Sequence, residues 1–121
     1  MPIPSRVLGS GVSQLSTVSI CGDGLDDIVA AGTSAGNATQ ITHVFNHIDT
    51  APAGSGVKLP PTEMGEVIYI TNSGANKVLI YPYEAATTIN VTTSAECKTD
   101  HSIICWAVTN SIWYTLTGSK V

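Results

Sequence analysis

The apolar and polar residues of the chain follow the pattern of short β-strands. Runs rich in Val, Ile, Thr and aromatic residues are separated by Gly, Pro, Asn and Ser about every 8–12 residues. About seven to eight strands with this spacing are typical of two packed sheets. The sequence therefore predicts an all-β fold, specifically a single-domain antiparallel β-sandwich that is jelly-roll-like.

The stretch Gly56–Asn90 carries the clearest pattern. Its segments Glu66–Asn72 and Lys77–Tyr83 are predicted to pair as a hairpin across the turn Ser73–Asn76. This pairing makes both faces of the hairpin apolar, whereas an antiparallel sheet with one solvated face alternates apolar and polar residues. We therefore expect a covering layer on each side. The residues of one face are predicted to contact a partner or a second subunit: Val67, Tyr69, Val78 and Ile80.

Residues 1–11 are predicted to form an extended N-terminal arm, and residues 12–121 the β-sandwich domain. Pro2 and Pro4 fix the backbone and bias their neighbours towards extended conformations. An arm of this kind cannot bury its own apolar side chains. It is therefore predicted to lie on a partner or a sister subunit through six residues: Pro2, Ile3, Pro4, Arg6, Val7 and Leu8.

The segments on either side of the central stretch differ in how clearly their sequences predict a strand or a helix. Val12–Ile20 and Thr87–Thr93 are predicted strands, and Ser94–Asp100 is a predicted polar connection. Leu25–Thr33 fits either a helical turn or a strand. Asn37–Asp49 favours a strand by its content of β-branched residues, although its apolar residues also fit a helical stripe.

The end of the chain predicts a second hairpin, formed by Ser102–Thr109 and Ile112–Leu116 around the turn Asn110-Ser111. With a two-residue turn, Trp106 and Trp113 fall on the same face of this hairpin. Neighbouring aromatic residues of this kind are typical of a core or of an interface.

The charge content of the chain is low. Charged residues make up 12% of the 121 residues, against roughly 25% in an ordinary soluble domain. Because surface charge keeps a monomer soluble, this composition favours a chain that hides surface against partners. The alternative is a β-rich monomer with a surface of Thr and Ser.

The basic residues are few and are spread along the chain, and the net charge is −4. This distribution argues against a nucleic-acid partner. The sequence shows neither a signal peptide nor a run long enough to cross a membrane, so no membrane partner is predicted. The cysteines Cys21, Cys97 and Cys105 are odd in number, which predicts reduced thiols in a protein made in a cytoplasm.

Candidate chemical groups are present, but their spacing predicts no enzyme, no metal site and no cofactor. On a strand, His43 and His47 would lie about 13 Å apart, too far for one ion. The acidic segment 23–27 lacks the spacing and the closing Glu of a helical calcium loop, and it is predicted to be a solvated turn. Cys97 is predicted in a polar loop and Cys105 in an apolar strand, where neither thiol is activated.

A series of short motifs runs through the central stretch: Gly56-Val57-Lys58-Leu59-Pro60, Gly65, Val67–Asn72, Gly74-Ala75-Asn76, Val78–Pro82 and Ile89-Asn90. This series resembles a stretch of small structural proteins of tailed bacteriophages. The resemblance extends from about Asn37 to Leu116 and includes Trp113-Tyr114. It departs from the family pattern after Pro82, where Tyr83–Ala86 replaces the usual small Gly or Asp.

The resemblance implies a capsid decoration protein, or cement protein, of a bacteriophage virion. Such a protein would be made in the host cytoplasm, would bind the outer capsid surface as a homotrimer, and would brace the major capsid protein by bridging its subunits. The alternative function is a tail or head-fibre β-module that binds host surface glycans. That function would require exposed aromatic residues, for which the candidates are Tyr81, Tyr83, Trp106, Trp113 and Tyr114.

Overall fold

The computed structural model describes residues 8–16 and 22–119. Residues 8–9 and 14–16 form short helical turns, and ten strands follow. The strands are β1(Gly24–Val29), β2(Thr39–Gln40), β3(Phe45–Thr50), β4(Gly56–Lys58), β5(Val67–Asn72), β6(Val78–Tyr81), β7(Thr88–Ile89), β8(Ala95–Cys97), β9(His101–Thr109) and β10(Ile112–Ser119). The all-β expectation therefore agrees with the structure.

The strands belong to two sheets between which the chain alternates. Sheet A has the order β1-β3-β5-β9-β10-β7, and sheet B has the order β2-β4-β6-β8. From β1 to β6, each strand pairs in parallel with the equivalent strand of the next turn of the chain, as Phe45 does with Tyr69 and Val57 with Ile80. The chain is thus a β-solenoid of stacked coils, and the prediction of an antiparallel, jelly-roll-like sandwich is wrong.

The predicted central hairpin is also wrong, because β5 and β6 lie in different sheets and Gly74-Ala75-Asn76 forms a corner between them. Buried Asn72 holds this corner. Its Oδ1 accepts a hydrogen bond from the Gly74 backbone N–H at 2.9 Å, and its Nδ2 donates to the carbonyl oxygens of Asn76 at 2.9 Å and Cys97 at 3.0 Å. A Cβ at Gly74 would lie 2.6 Å from the Ala51 Cβ, so only glycine allows the adjacent coil so close.

The core lies between the two sheets and is filled by alternate side chains of each strand. Ile68 and Ile70 of β5 point inwards, as do Val78 and Ile80 of β6, whereas Tyr69 points outwards. The prediction that Val78 and Ile80 share an outer face with Val67 and Tyr69 is therefore wrong. In a hairpin, the pairing register decides which residues of both strands share a face. At a corner the two strands do not pair with each other, so each strand can turn either set of alternate residues towards the core.

Strands β7 to β10 close the solenoid at its C-terminal end with antiparallel pairing of β8 on β6 and of β9 on both β5 and β10. The predicted closing hairpin is confirmed, but its register shifts between Ile112 and Trp113. Trp113 consequently pairs with Ala107 and is fully buried, while Trp106 pairs with Tyr114 on the outer face. The two tryptophans lie on opposite faces, contrary to the prediction.

The structure also shows what the segments around the central stretch form. Leu25–Thr33 contains all of β1 except Gly24, and Asn37–Asp49 contains β2 and most of β3, with no helix in either segment. Thr87–Thr93 is reduced to the two residues of β7. The predicted connection Ser94–Asp100 contains β8, so Cys97 is a buried strand residue and not part of a polar loop.

At the N-terminal end, the predicted strand Val12–Ile20 is wrong at residues 14–16, which form a helical turn; residues 17–20 lie outside the described part. Of the predicted arm, residues 8–9 are helical rather than extended, and Leu8 is exposed. The other predicted arm contacts lie outside the described residues: Pro2, Ile3, Pro4, Arg6 and Val7.

Candidate functional site: an apolar face on sheet A

Seven large apolar residues on the outer side of sheet A form a surface that we name Face A: Phe45, Val67, Tyr69, Ile104, Trp106, Tyr114 and Leu116. All seven occupy outward positions, because their strand neighbours Ile68, Ile70, Ile103, Cys105 and Trp113 fill the core. Five of them are substantially exposed, with Leu116 at 63% and Phe45 at 47%. A sheet face in contact with water normally carries polar residues instead.

Strand pairing arranges Face A in two rows. In the first row, Phe45 is beside Tyr69, Tyr69 is opposite Ile104, and Ile104 is opposite Leu116. In the second row, Trp106 lies between Val67 and Tyr114. At the usual separation between strands, the first row spans about 14 Å. Face A is therefore a continuous surface that crosses four strands, and its residues come from three separate parts of the chain.

Two rings of Face A form a rigid pair. Phe45 and Tyr69 stack with their centroids 4.7 Å apart and their planes inclined by 15°. The pair arises because the parallel register places the two residues side by side on β3 and β5. Stacked aromatic pairs of this kind contribute about 0.5–1.5 kcal/mol beyond their buried area, so the two rings hold each other in place.

Face A ends abruptly at a polar row. His47, Thr71 and Ser102 occupy the next outward positions on β3, β5 and β9. His47 Nδ1 contacts Asp26 Oδ1 at 2.5 Å and its Nε2 contacts Ser73 Oγ at 2.7 Å, so one ring links three successive coils. Thr71 and Ser102 share a hydrogen bond of 2.9 Å. The apolar character is thus confined to one part of the sheet.

The acidic residues beside this row do not form a solvated turn as predicted, since Asp26 and Asp27 belong to β1. The pKa of Asp26 is lowered by a hydrogen bond from the Asp27 backbone N–H and by the contact with His47. The pKa of Asp27 is raised by a hydrogen bond with Asp49 and by the charge of Asp26.

His43 approaches a different carboxylate, with its Nε2 3.8 Å from Asp23 Oδ2. Within the described residues, no group of three or more His, Cys, Asp or Glu side chains could hold a metal ion. Each of these two histidines instead pairs with a single aspartate, His43 with Asp23 and His47 with Asp26.

The two described cysteines are buried and do not have the properties of nucleophiles. Burial raises the pKa of Cys97 to about 11 and that of Cys105 to about 12. Because the thiolate is the reactive form, both thiols are unreactive at neutral pH. Cys21 lies outside the described residues.

Glu84 takes part in a second polar network, located where β7 and β10 meet the corner that follows β6. Its carboxylate accepts hydrogen bonds from the backbone N–H and the hydroxyl of Thr62, at 3.0 and 2.8 Å, and from the Thr87 hydroxyl at 3.2 Å. The Thr62 hydroxyl oxygen also accepts a bond of 2.9 Å from the Trp113 indole N–H. Burial acts to raise the pKa of Glu84, but these hydrogen bonds outweigh it and lower the pKa.

The structure separates the residues that the sequence grouped as partner contacts. Val67 and Tyr69 belong to Face A, whereas Val78 and Ile80 are fully buried core residues. Sequence reasoning missed the other members of Face A because they lie on strands far apart in the chain. A signal was nevertheless present, because large apolar residues occupy both the odd and the even positions of β5, β9 and β10. Only one of these two sets can face the core, so the other set must face outwards.

Comparison of the chain with protein-family models, with curated proteins and with solved structures gives no match. Among the residues that the structure describes, no helix is both long enough and apolar enough to span a membrane.

Proposed function

We propose that this chain is a structural subunit that associates with copies of itself through Face A. We further propose that it acts on the outer surface of a tailed-bacteriophage capsid. There a homotrimer would decorate the shell and would stabilise it by bridging subunits of the major capsid protein. The single observation that carries the proposal is the exposure of Face A.

The physical basis is the cost of keeping Face A in water. Removing apolar surface from water contributes roughly 25 cal/mol per Å², and the exposed portions of Phe45, Tyr69, Tyr114 and Leu116 form one contiguous area. Scattered single apolar residues on a surface need no explanation, whereas a contiguous patch is typical of an interaction site. The low charge of the chain, at 12% of residues, supports the same assignment.

Most of the sheet edges oppose association by the addition of strands. At one edge of sheet A, β1 contains two register shifts, and Asp27 has a positive φ of 58°. The edge strands β2, β7 and β8 are only two or three residues long. Bulges, charges and short edge strands oppose edge-to-edge pairing, which would otherwise produce a filament. Because β7 pairs only with Ile112 and Trp113, the outer edge of β10 from Tyr114 to Ser119 pairs with no described strand. The proposal places association at Face A because the large apolar side chains lie on the face of the sheet and not at its edges.

The placement on a phage capsid rests on the resemblance of the central motifs to phage structural proteins. A decoration protein needs only modest contacts, because an interface of about 1,600 Å² is sufficient for a stable complex and repetition over the shell multiplies its effect. A small subunit with one apolar face suits this role.

The oligomeric state tests the proposal directly. By light scattering coupled to size exclusion, we expect a particle of about three times the 12.6 kDa chain mass. Tyr69→Asp should shift the mass to that of the monomer, because it places a charge in the centre of Face A. Thr71→Asp, in the adjoining polar row, is the matched control and should leave the mass unchanged. A monomeric wild-type protein would refute assembly through Face A.

Binding to capsids tests the virion role separately. The wild-type protein and the Thr71→Asp control should cosediment with expanded capsids assembled from the cognate major capsid protein. Tyr69→Asp should cosediment weakly, because a monomer loses the multiple attachment of the trimer. A trimer that fails to bind capsids would retain the self-association and reject the decoration role.

A further inference from the structure

A cleft of about 480 Å³ lies on the outer side of sheet B, across the core from Face A. Its main side chains come from the end of β4, the end of β6 and the corner that follows: Lys58, Tyr81, Tyr83, Glu84 and Thr93. We name it the Lys58 cleft. Its volume falls within the roughly 300–1,000 Å³ of small-molecule sites.

A tyrosine held against the sheet forms one wall of the Lys58 cleft. Tyr81 lies directly over Gly56, so that a Cβ built on Gly56 would be 2.7 Å from Tyr81 Cε2 and 2.9 Å from the Leu79 carbonyl oxygen. Any larger residue at position 56 would therefore push the ring away. The absence of a side chain at Gly56 lets the Tyr81 ring lie against the strand, where it offers a preformed apolar surface.

The lining of the Lys58 cleft also contains a second tyrosine and a cation. Lys58 Nζ is 5.1 Å from the centroid of the Tyr83 ring, and Tyr83 is 48% exposed. In the described part of the chain, no carboxylate lies within ion-pair distance of Lys58, whereas Lys77 pairs with Glu96 at 2.7 Å. Among the described residues, the ammonium of Lys58 therefore contacts the Tyr83 ring and no carboxylate, which leaves its hydrogen-bonding capacity for an anion.

The acidic residue of the cleft, Glu84, does not form an ion pair with this cation. Both carboxylate oxygens of Glu84 accept hydrogen bonds from Thr62, and one also accepts a bond from Thr87. These bonds hold the carboxylate towards the protein, where it serves the network that includes Trp113.

We infer that the Lys58 cleft binds a sugar that carries a carboxylate. The apolar face of a pyranose ring would stack on the tyrosine rings, the carboxylate would accept hydrogen bonds from the Lys58 ammonium, and the Thr93 hydroxyl would meet a sugar hydroxyl. An acidic peptide would satisfy the charge of Lys58 but offers no flat apolar face to the two rings. The Lys58 cleft lies wholly within one chain, so this inference does not depend on assembly through Face A.

The test uses matched ligands on the full chain. Methyl β-glucuronide and the methyl α-glycoside of N-acetylneuraminic acid are titrated against methyl β-glucoside, which lacks the carboxylate. We follow binding by chemical-shift changes in ¹⁵N-labelled protein. We expect saturable shifts centred on residues 58 and 81–84, with at least one acidic sugar binding about fivefold more tightly than the glucoside.

Variants identify the groups responsible. Lys58→Met should remove the preference for the acidic sugar, because it keeps most of the side-chain length and loses the charge. Lys77→Met, which removes an ammonium already paired with Glu96, is the control and should bind as wild type does. Tyr83→Ala should weaken acidic and neutral sugars alike, and unchanged spectra away from the cleft show that this variant is folded.

Three results of the sugar titrations would overturn the inference. These are no saturable binding of either acidic sugar at millimolar concentration, equal affinity for the glucoside, or unchanged selectivity in Lys58→Met. A tetraglutamate peptide that produced the same shifts with the same affinity would also overturn it, since the cleft would then select charge without recognising a sugar.

Discussion

Sheet A presents two rows of apolar side chains on its outer side, whereas the outer side of sheet B carries the Lys58 cleft and an ion pair between Lys77 and Glu96. Both sheets are built from the same coils and share one core. The difference therefore arises only from the residues at outward positions. It shows that a coil can fix its inner face for stability while its two outer faces take on separate roles.

The largest expected difference in stability is between substitutions at an inward and at an outward position of the same strand. Ile80→Asp places a charge in the fully buried core that supports both sheets, and it should destabilise the fold by more than about 4 kcal/mol. Leu79→Lys, at the adjacent outward position of β6 and opposite Glu96, should change the free energy of unfolding by less than about 1 kcal/mol. Chemical denaturation measures both. Equal losses would mean that the inward and outward positions of β6 have been assigned wrongly.

A smaller effect is expected at the corner that carries the chain from sheet A to sheet B. Asn72→Ala removes three hydrogen bonds and leaves the Gly74 N–H and the Cys97 carbonyl without this partner, at a cost of about 2–3 kcal/mol. Asn110→Ala is the control, because the side chain of Asn110 is exposed and accepts one bond from the Met64 backbone N–H.

The control should cost less than about 1 kcal/mol in thermal or urea unfolding. If Asn72→Ala were as mild as Asn110→Ala, the corner would be held by the packing of Gly74 against Ala51 and not by the asparagine.

The smallest effect concerns two glutamates whose folded-state pKa values shift in opposite directions. The pKa of Glu84 is lowered in the folded protein, so ionised Glu84 stabilises the fold above the ordinary glutamate pKa. This stabilisation is lost as the pH falls through the pKa that Glu84 has in the folded protein. The pKa of Glu66 is raised by burial and by the charges of Glu63 and Glu84, so ionisation of Glu66 above its folded value opposes folding.

We therefore expect Glu84→Gln to lower stability at pH 7 and to flatten the loss of stability on acidification below about pH 5. Glu66→Gln should raise stability slightly at pH 7 and change little at pH 3. Each change should be below about 1 kcal/mol, because solvent screens both side chains. Urea midpoints measured from pH 3 to pH 7 provide the check, and shifts of the same sign in both variants would contradict it.

The sequence predicted several features that depend on local pattern alone. The all-β composition, the hairpin of β9 and β10 and the buried position of Cys105 all follow from periodicity and turn residues. It did not predict the solenoid, because the segment Ser73–Asn76 has the turn chemistry of a hairpin. What makes this segment a corner is the contact of Asn72, Gly74 and Asn76 with residues of other coils.

The candidate site was predicted only in part for a related reason. Val67 and Tyr69 were predicted as partner contacts and do lie on the outer side of sheet A, but the erroneous hairpin register grouped them with the buried Val78 and Ile80. A shift of one position in pairing moves every side chain to the other face, and the bulge at Ile112 likewise separated Trp106 from Trp113. No local pattern reports such a shift.

The parallel register of β3 and β5 has a consequence for how the protein can vary in size. Phe45, Asn46, His47 and Ile48 each have a paired position one coil later, so a single coil is a repeatable unit of roughly two dozen residues. Duplication of one coil would lengthen the molecule by about 4.8 Å and extend Face A by one residue per row. Growth in such discrete steps would let related chains match binding surfaces of different width without redesigning either end.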